Sequence, residues 1–206
     1  MRLYNCCAQL KKTMKSFFKD HDAHSIIKDW NGEYKQEILG TWNEEVPQHV
    51  QNFNNYEEDR NAVIYFALFV EFHINKIVEI LFPDFDSYVG ISKASTSLKI
   101  NLLDSFQLLP KQIFSSCRCI NNIRNEFAHE FSITKLDELE GLPNSRKSKT
   151  LEKLKKLTDE FEGDYNYEKI ENTLRNRFKS LCMNTISAFR IYEPLIRELR
   201  EGRIEK

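Results

Sequence analysis

The chain has 206 residues, enough for one domain of ordinary size with an appendage. Hydrophobic residues make up 41% and charged residues 30%, which excludes a disordered chain, and only six Gly and five Pro argue against a turn-rich β-sandwich and for long helices. A formal net charge of −1 excludes a global basic field, so any nucleic-acid contact has to come from a local patch.

Residues 1–54 read as an N-terminal helical extension. Leu10, Met14, Phe17 and Phe18 follow helical spacing over residues 5–20. Ile26, Ile27 and Trp30 suggest a second short helix, stopped by Asn31-Gly32, and Glu33–Trp42 a third. His21 and His24 are half a metal site without further ligands nearby and read as a solvated pair. The N-terminus turns to Lys11-Lys12 too early for a signal peptide.

Residues 55–200 form the main helical domain. Its strongest helix is expected over Tyr56–Phe82, with Asn55 as N-cap, acids in the first turn and Pro83 as terminator. It is apolar on nearly all sides, from Val63 to Leu81, which marks a central helix. The longest apolar run within it, Ala62–Phe72, is broken by Glu71 and followed by His73, so no membrane span is expected. Glu71 and His73 are either buried or rim polar groups with partners, or groups that support a site. An unpaired buried charge costs several kcal/mol, so Glu71 calls for a partner.

A loop over Asp84–Ser97 leads to a helix capped by Ser97 and running to Leu108. Pro110 then suits the first position of a helix running to Phe131, with Ile113, Cys117, Ile120, Ile123 (or Arg124) and Phe127 on its core face. Ser132–Lys149 is a connection with a short turn around Lys135–Leu139 and a basic end at Arg146, Lys147 and Lys149. Thr150–Phe161 is amphipathic through Leu151, Leu154 and Leu157, and Tyr167–Leu199 is the last long helix, kinked by Pro194. Residues 201–206 read as a frayed tail. No β alternation appears, so the fold class is all-α, a bundle with short connections between antiparallel neighbours. The five cysteines, Cys6, Cys7, Cys117, Cys119 and Cys182, are odd in number, and Cys117-x-Cys119 lacks zinc-ribbon spacing. They read as reduced thiols in a cytoplasmic protein, with no metal or other cofactor.

The stretch Ile120–Phe131 is the densest in chemistry, with Arg124, Asn125 and His129 close together. Asn125 and His129 share a helix face, about 40° apart, whereas Arg124 and His129 are about 140° apart. One straight helix does not aim both at one atom. A long swinging Arg, a deformed helix end, or two chains paired across a symmetric interface would resolve this. Arginine forks a phosphate and histidine moves protons near neutral pH, so the trio suits cleavage of RNA by its own 2′-OH. The bland alternative is a helix-end Arg paired with Glu126 or Glu130 and a His capping the C-terminus. Arg175-Asn176-Arg177 echoes the motif without a His and reads as an exposed face. Arg118 and the Arg146, Lys147 and Lys149 cluster are candidate RNA-backbone contacts, although such basic runs are more often solvated.

Arg124-Asn-Glu-Phe-Ala-His129 resembles the Arg-x4–6-His signature of the HEPN superfamily, and its form is similar to the mannitol repressor branch. The stretch Asp59–Glu71 is similar to that branch's first long helix. The resemblance covers roughly residues 55–135. It implies a HEPN-like up-and-down helical bundle, here with additional N-terminal helices, that pairs as a homodimer with two motifs in one cleft. It further implies metal-independent endoribonuclease activity in toxin, antiphage or RNA-processing systems, with RNA and an antitoxin or regulatory protein as partners. Arg124 and His129 would be catalytic and Asn125 supportive, and Glu71 would be the supporting acid of an earlier helix. The alternative it leaves open is a non-catalytic regulatory or interaction protein.

Overall fold

A segment that is apolar on nearly every side is expected to be central, and α1 (Asp59–Leu81) packs against three other helices. The structure, a computed structural model, describes residues 48–49, 51–83, 93–107, 109–140, 145–162 and 173–201. After α1 come α2 (Thr96–Phe106), α3 (Lys111–His129), a 3-10 turn (Leu136–Leu139), α4 (Ser145–Glu162) and α5 (Leu174–Glu201). Residues 51–55 are also helical. Every element among the described residues is helical, so the protein is all-α there. None of these helices is long and apolar enough to cross a membrane. The helices expected within residues 5–42, with His21, His24, Cys6 and Cys7, lie outside the described residues.

α1 packs chiefly on α5 and α3, α2 lies on α3 and α1, and α4 covers α3 and α5. One core joins them, running from Phe53 to Ile196, with Phe66, Phe114, Phe127, Phe178 and Phe189 fully buried. Each such ring removes enough apolar area from water to favour folding by about 1.5–3 kcal/mol. The stripe Ile113, Cys117, Ile120, Ile123 and Phe127 of α3 is buried as its spacing predicts. The central helix is not covered all round: Asn61, Leu68, Phe72 and Glu79 form an exposed stripe on α1.

Helix ends differ from the sequence expectation where tertiary contacts take over. α1 begins at Asp59, with Glu58 rather than Asn55 at the N-cap and no side-chain cap hydrogen bond, because Asn55 ends the preceding helical segment. Ser95, not Ser97, caps α2, its hydroxyl accepting from Leu98 N at 3.3 Å; the Ser97 hydroxyl instead accepts from Asn121 Nδ2 of α3 at 3.1 Å. α2 stops at Gln107, which adopts a left-handed conformation at φ 52°. α3 stops at His129 rather than Phe131, and α4 starts at Ser145 rather than Thr150.

Antiparallel packing holds for α2 and α3, where Ser97 meets Asn121 while Asp104 meets Arg118. It does not hold for α1 and α5. Asp59 pairs with Arg175 near both helix starts, and His73 meets Glu193 further along both, so these two run parallel.

Candidate active site

α3 carries Arg124, Asn125 and His129 on its last turns. Phe127, fully buried, anchors this end of the helix in the core, and the neighbouring polar residues are thereby turned outward. His129, the last helical residue, is exposed, while Arg124 and Asn125 are half-buried. Arg124 Nη1 donates to Asn125 Oδ1 at 3.1 Å, which fixes the amide and holds the guanidinium on its side of the helix. The expected divergence of Arg124 and His129 around α3 therefore persists: no contact brings the two side chains together within this chain.

A helix C-terminus leaves carbonyls without intrahelical partners. Here Arg60, from the first turn of α1, satisfies one of them and two carbonyls just beyond the helix. Its Nη1 donates to Phe127 O, and its Nη2 donates to Glu130 O at 2.7 Å and Ile133 O at 2.5 Å. The Arg60 backbone N–H donates to Thr134 O at 3.2 Å. Its guanidinium carbon also lies 5.9 Å from the ring centroids of both Phe127 and Phe131. A cation at a helix C-terminus is favoured by the helix dipole as well as by these hydrogen bonds. The chain is therefore turned out of helical geometry straight after His129, two residues before the expected end.

Asp59, beside Arg60, completes the junction. Its carboxylate accepts from Leu136 N at 2.8 Å and pairs with Arg175 Nη1. Arg175 Nη2 donates to Phe53 O at 3.0 Å and Tyr56 O at 2.6 Å, and its guanidinium lies 5.0 Å from the Phe53 ring. Arg177 Nη1 donates to Thr158 Oγ1 at 2.7 Å and Asp159 Oδ1 at 2.5 Å, joining α5 to α4. The reading of Arg175-Asn176-Arg177 as an exposed face is corrected: all three are half-buried, and Arg175 and Arg177 tie α5 to its neighbours. The one local signal was the adjacent Asp59-Arg60 pair opening α1, which marks a charged helix start without naming its partners.

The remaining candidates scatter. Glu71 is half-buried on α1, so water shares the solvation of its charge. It lies eleven residues beyond Arg60, about 16 Å of helix rise, and that distance separates it from the level of α3's C-terminal end. Arg118 Nη2 pairs with Asp104 Oδ2 at 2.5 Å and donates to Asn101 Oδ1 at 3.1 Å, which links α3 to α2. Lys149 is exposed on α4, and Arg146 and Lys147 belong to that helix's first turns, their side chains outside the described residues.

A second polar cluster lies between α1 and α5. His73, only 4% exposed, places Nδ1 3.4 Å from Glu193 Oε2, and its ring stacks on Phe189. Burial pushes the Glu193 carboxyl upward, but His73, Lys76 at 3.7 Å and Arg197 at 3.7 Å outweigh it and hold the carboxyl below its ordinary range. A carboxylate only accepts, so the Nδ1 of His73 carries the proton toward it. Of the two readings of His73, this pairing supports the buried polar group held by a partner.

Cys117, Cys119 and Cys182 are buried free thiols. Burial, opposed only in part by Lys153, pushes the Cys119 thiol up to about 12, and burial raises the other two as well, so all three stay protonated and unreactive at neutral pH. Among the described residues no group of three or more His, Cys, Asp or Glu is placed to hold a metal ion. No known protein family, curated protein or solved structure matches the chain.

Proposed function

We propose that the protein is a HEPN-type endoribonuclease, metal-independent and acting as a homodimer, in a toxin, antiphage or RNA-processing role. The observation that carries the reading is the end of α3: an exposed His129 on a helix terminus clamped by Arg60, with Arg124 and Asn125 one turn back. In the proposed reaction a ribose 2′-OH attacks the adjacent phosphorus. The 2′-O–P bond forms, the P–O5′ bond breaks, and the products are a 2′,3′-cyclic phosphate and a 5′-OH. His129 of one copy takes the 2′ proton and His129 of the second copy delivers one to the 5′ oxygen. Arg124 stabilises the charge on the equatorial oxygens, and Asn125 holds Arg124 in place. The angular separation of Arg124 and His129 on α3 favours a site completed by the second copy, with each chain supplying the group the other lacks. RNA backbone contacts fall to Lys149, Arg146 and Lys147 rather than to Arg118, which already has a carboxylate partner.

That engagement of Arg118 also favours a second reading, a non-catalytic HEPN-like regulatory or interaction protein, since it thins the basic surface around the motif. Pure protein incubated with assorted RNAs in EDTA separates the two. Cleavage that leaves cyclic-phosphate ends and disappears in both His129→Ala and Arg124→Ala supports the nuclease. Absence of cleavage of every RNA, or variants as active as the parent, overturns it.

A further inference from the structure

We infer that Phe131 is a stacking platform for an unpaired nucleobase next to the cleaved bond. This rests on the endoribonuclease reading above. Phe131 is 85% exposed, against 48–58% for Phe72, Leu68 and Leu98, the other exposed large apolar side chains among the described residues. Surface burial elsewhere in the turn is ordinary, since Ile133 and Leu136 are buried in the core. Phe131 thus faces solvent beside the exposed Ser132 and Lys135, while the other apolar residues of the turn are in the core.

The turn that presents it is tied down. Arg60 Nη2 binds the carbonyls of Glu130 and Ile133 on either side, Ile133 N donates to Glu130 O at 3.2 Å, and Ser132 Oγ donates to Glu130 Oε1 at 3.3 Å. The guanidinium of Arg60 lies 5.9 Å from the Phe131 centroid, within cation–π range, which leaves the rest of the ring to solvent. An aromatic held in place with its surface in water loses little further entropy on binding a flat partner.

The two residues from His129 to Phe131 span no more than about 7 Å between Cα atoms. A base attached to a phosphodiester at His129 reaches that ring without unfolding either. Stacking suits every base, because each has a π-face, so the platform would select single-stranded over paired RNA rather than one sequence.

The test uses the full-length His129→Ala protein, which leaves RNA intact, and a short single-stranded RNA carrying 2-aminopurine. Binding should quench the fluorophore. Adding Phe131→Ala should weaken binding by about five- to a hundredfold and abolish the quench, and Phe131→Leu should fail to restore it, whereas Phe131→Tyr should. Unchanged affinity in Phe131→Ala, or full rescue by Phe131→Leu, overturns the platform while leaving the nuclease reading intact. A loss of dimer in Phe131→Ala that accounts for the whole affinity change, measured by sedimentation, also overturns it by assigning the ring to the interface between copies. If His129→Ala binds no RNA at all while remaining folded, the nuclease reading fails and the platform with it.

Discussion

His129 and His73 have opposite surroundings. His73 has a carboxylate partner, stacks on Phe189 and is sealed between α1 and α5. His129 stands in water at a helix end, with an arginine and an amide one turn away. In composition alone the His73 cluster looks the better equipped, because it has an acid, two bases and a histidine. The difference lies in access: a histidine that exchanges protons with a polymeric substrate has to be reached by it. The buried pair instead holds two parallel helices in register.

Substitution at each histidine breaks the comparison most sharply. His129→Ala should lower RNA cleavage by about 10²–10⁴-fold while leaving the thermal midpoint unchanged. His73→Ala should do the reverse, costing about 1–3 kcal/mol through the lost partner of Glu193 while activity at low temperature persists. Denaturant titration beside a cleavage assay reads both. Equal effects at the two positions would remove the distinction.

The next effect concerns the junction that holds the His129 end. Asp59→Ala removes the carboxylate partner of Arg175 and frees Leu136 N, and the loss should be about 1–3 kcal/mol, since Arg175 keeps its bonds to Phe53 O and Tyr56 O. Arg60→Ala should instead act locally, raising amide hydrogen exchange over residues 130–136 and lowering cleavage more than global stability. Arg60→Lys keeps the charge but not the fork, so it should recover only part of the loss.

A smaller effect is pH-dependent and belongs to the buried cluster. The Glu193 carboxyl is held below its ordinary range, so the folded state favours the carboxylate more than the unfolded chain does. Its stabilisation is complete above the ordinary glutamate value of about 4.3 and fades as pH falls below it. Glu193→Gln should flatten the acid side of the stability curve and leave the alkaline side alone. The smallest change is expected at the thiols: Cys119→Ser and Cys182→Ser should leave cleavage unaltered, and a thiol reagent should modify native Cys117, Cys119 and Cys182 only as fast as the protein opens.

Much of this arrangement was legible in the chain. The core face of α3 followed from the recurrence of Ile113, Cys117, Ile120, Ile123 and Phe127, and the short turn at Leu136–Leu139 followed from local pattern. Periodicity also placed Arg124 and His129 on different sides of one helix, and they stand there. The junction was not legible, because Arg60 acts on carbonyls 67 to 73 residues away and Asp59 on a guanidinium 116 residues away. No window of local sequence contains such a pairing. For the same reason the end of α3 was misplaced by two residues: helical propensity continues through Glu130 and Phe131, and a guanidinium from another helix overrides it. Arg175 was misread because an exposed arginine and one bound to carbonyls from the other end of the chain have the same local sequence.

The parallel pairing of α1 and α5 has a consequence for how the protein assembles. The Asp59–Arg175 contact closes a loop of 116 residues, and closure of that length costs about 4 kcal/mol of chain entropy. Contacts of such separation are made late, once nearer elements have collapsed. α1, α2 and α3 can associate during synthesis, but the junction beneath His129 is complete only after residue 175 has been made. The nascent chain thus carries its histidine well before it carries the fold that positions it.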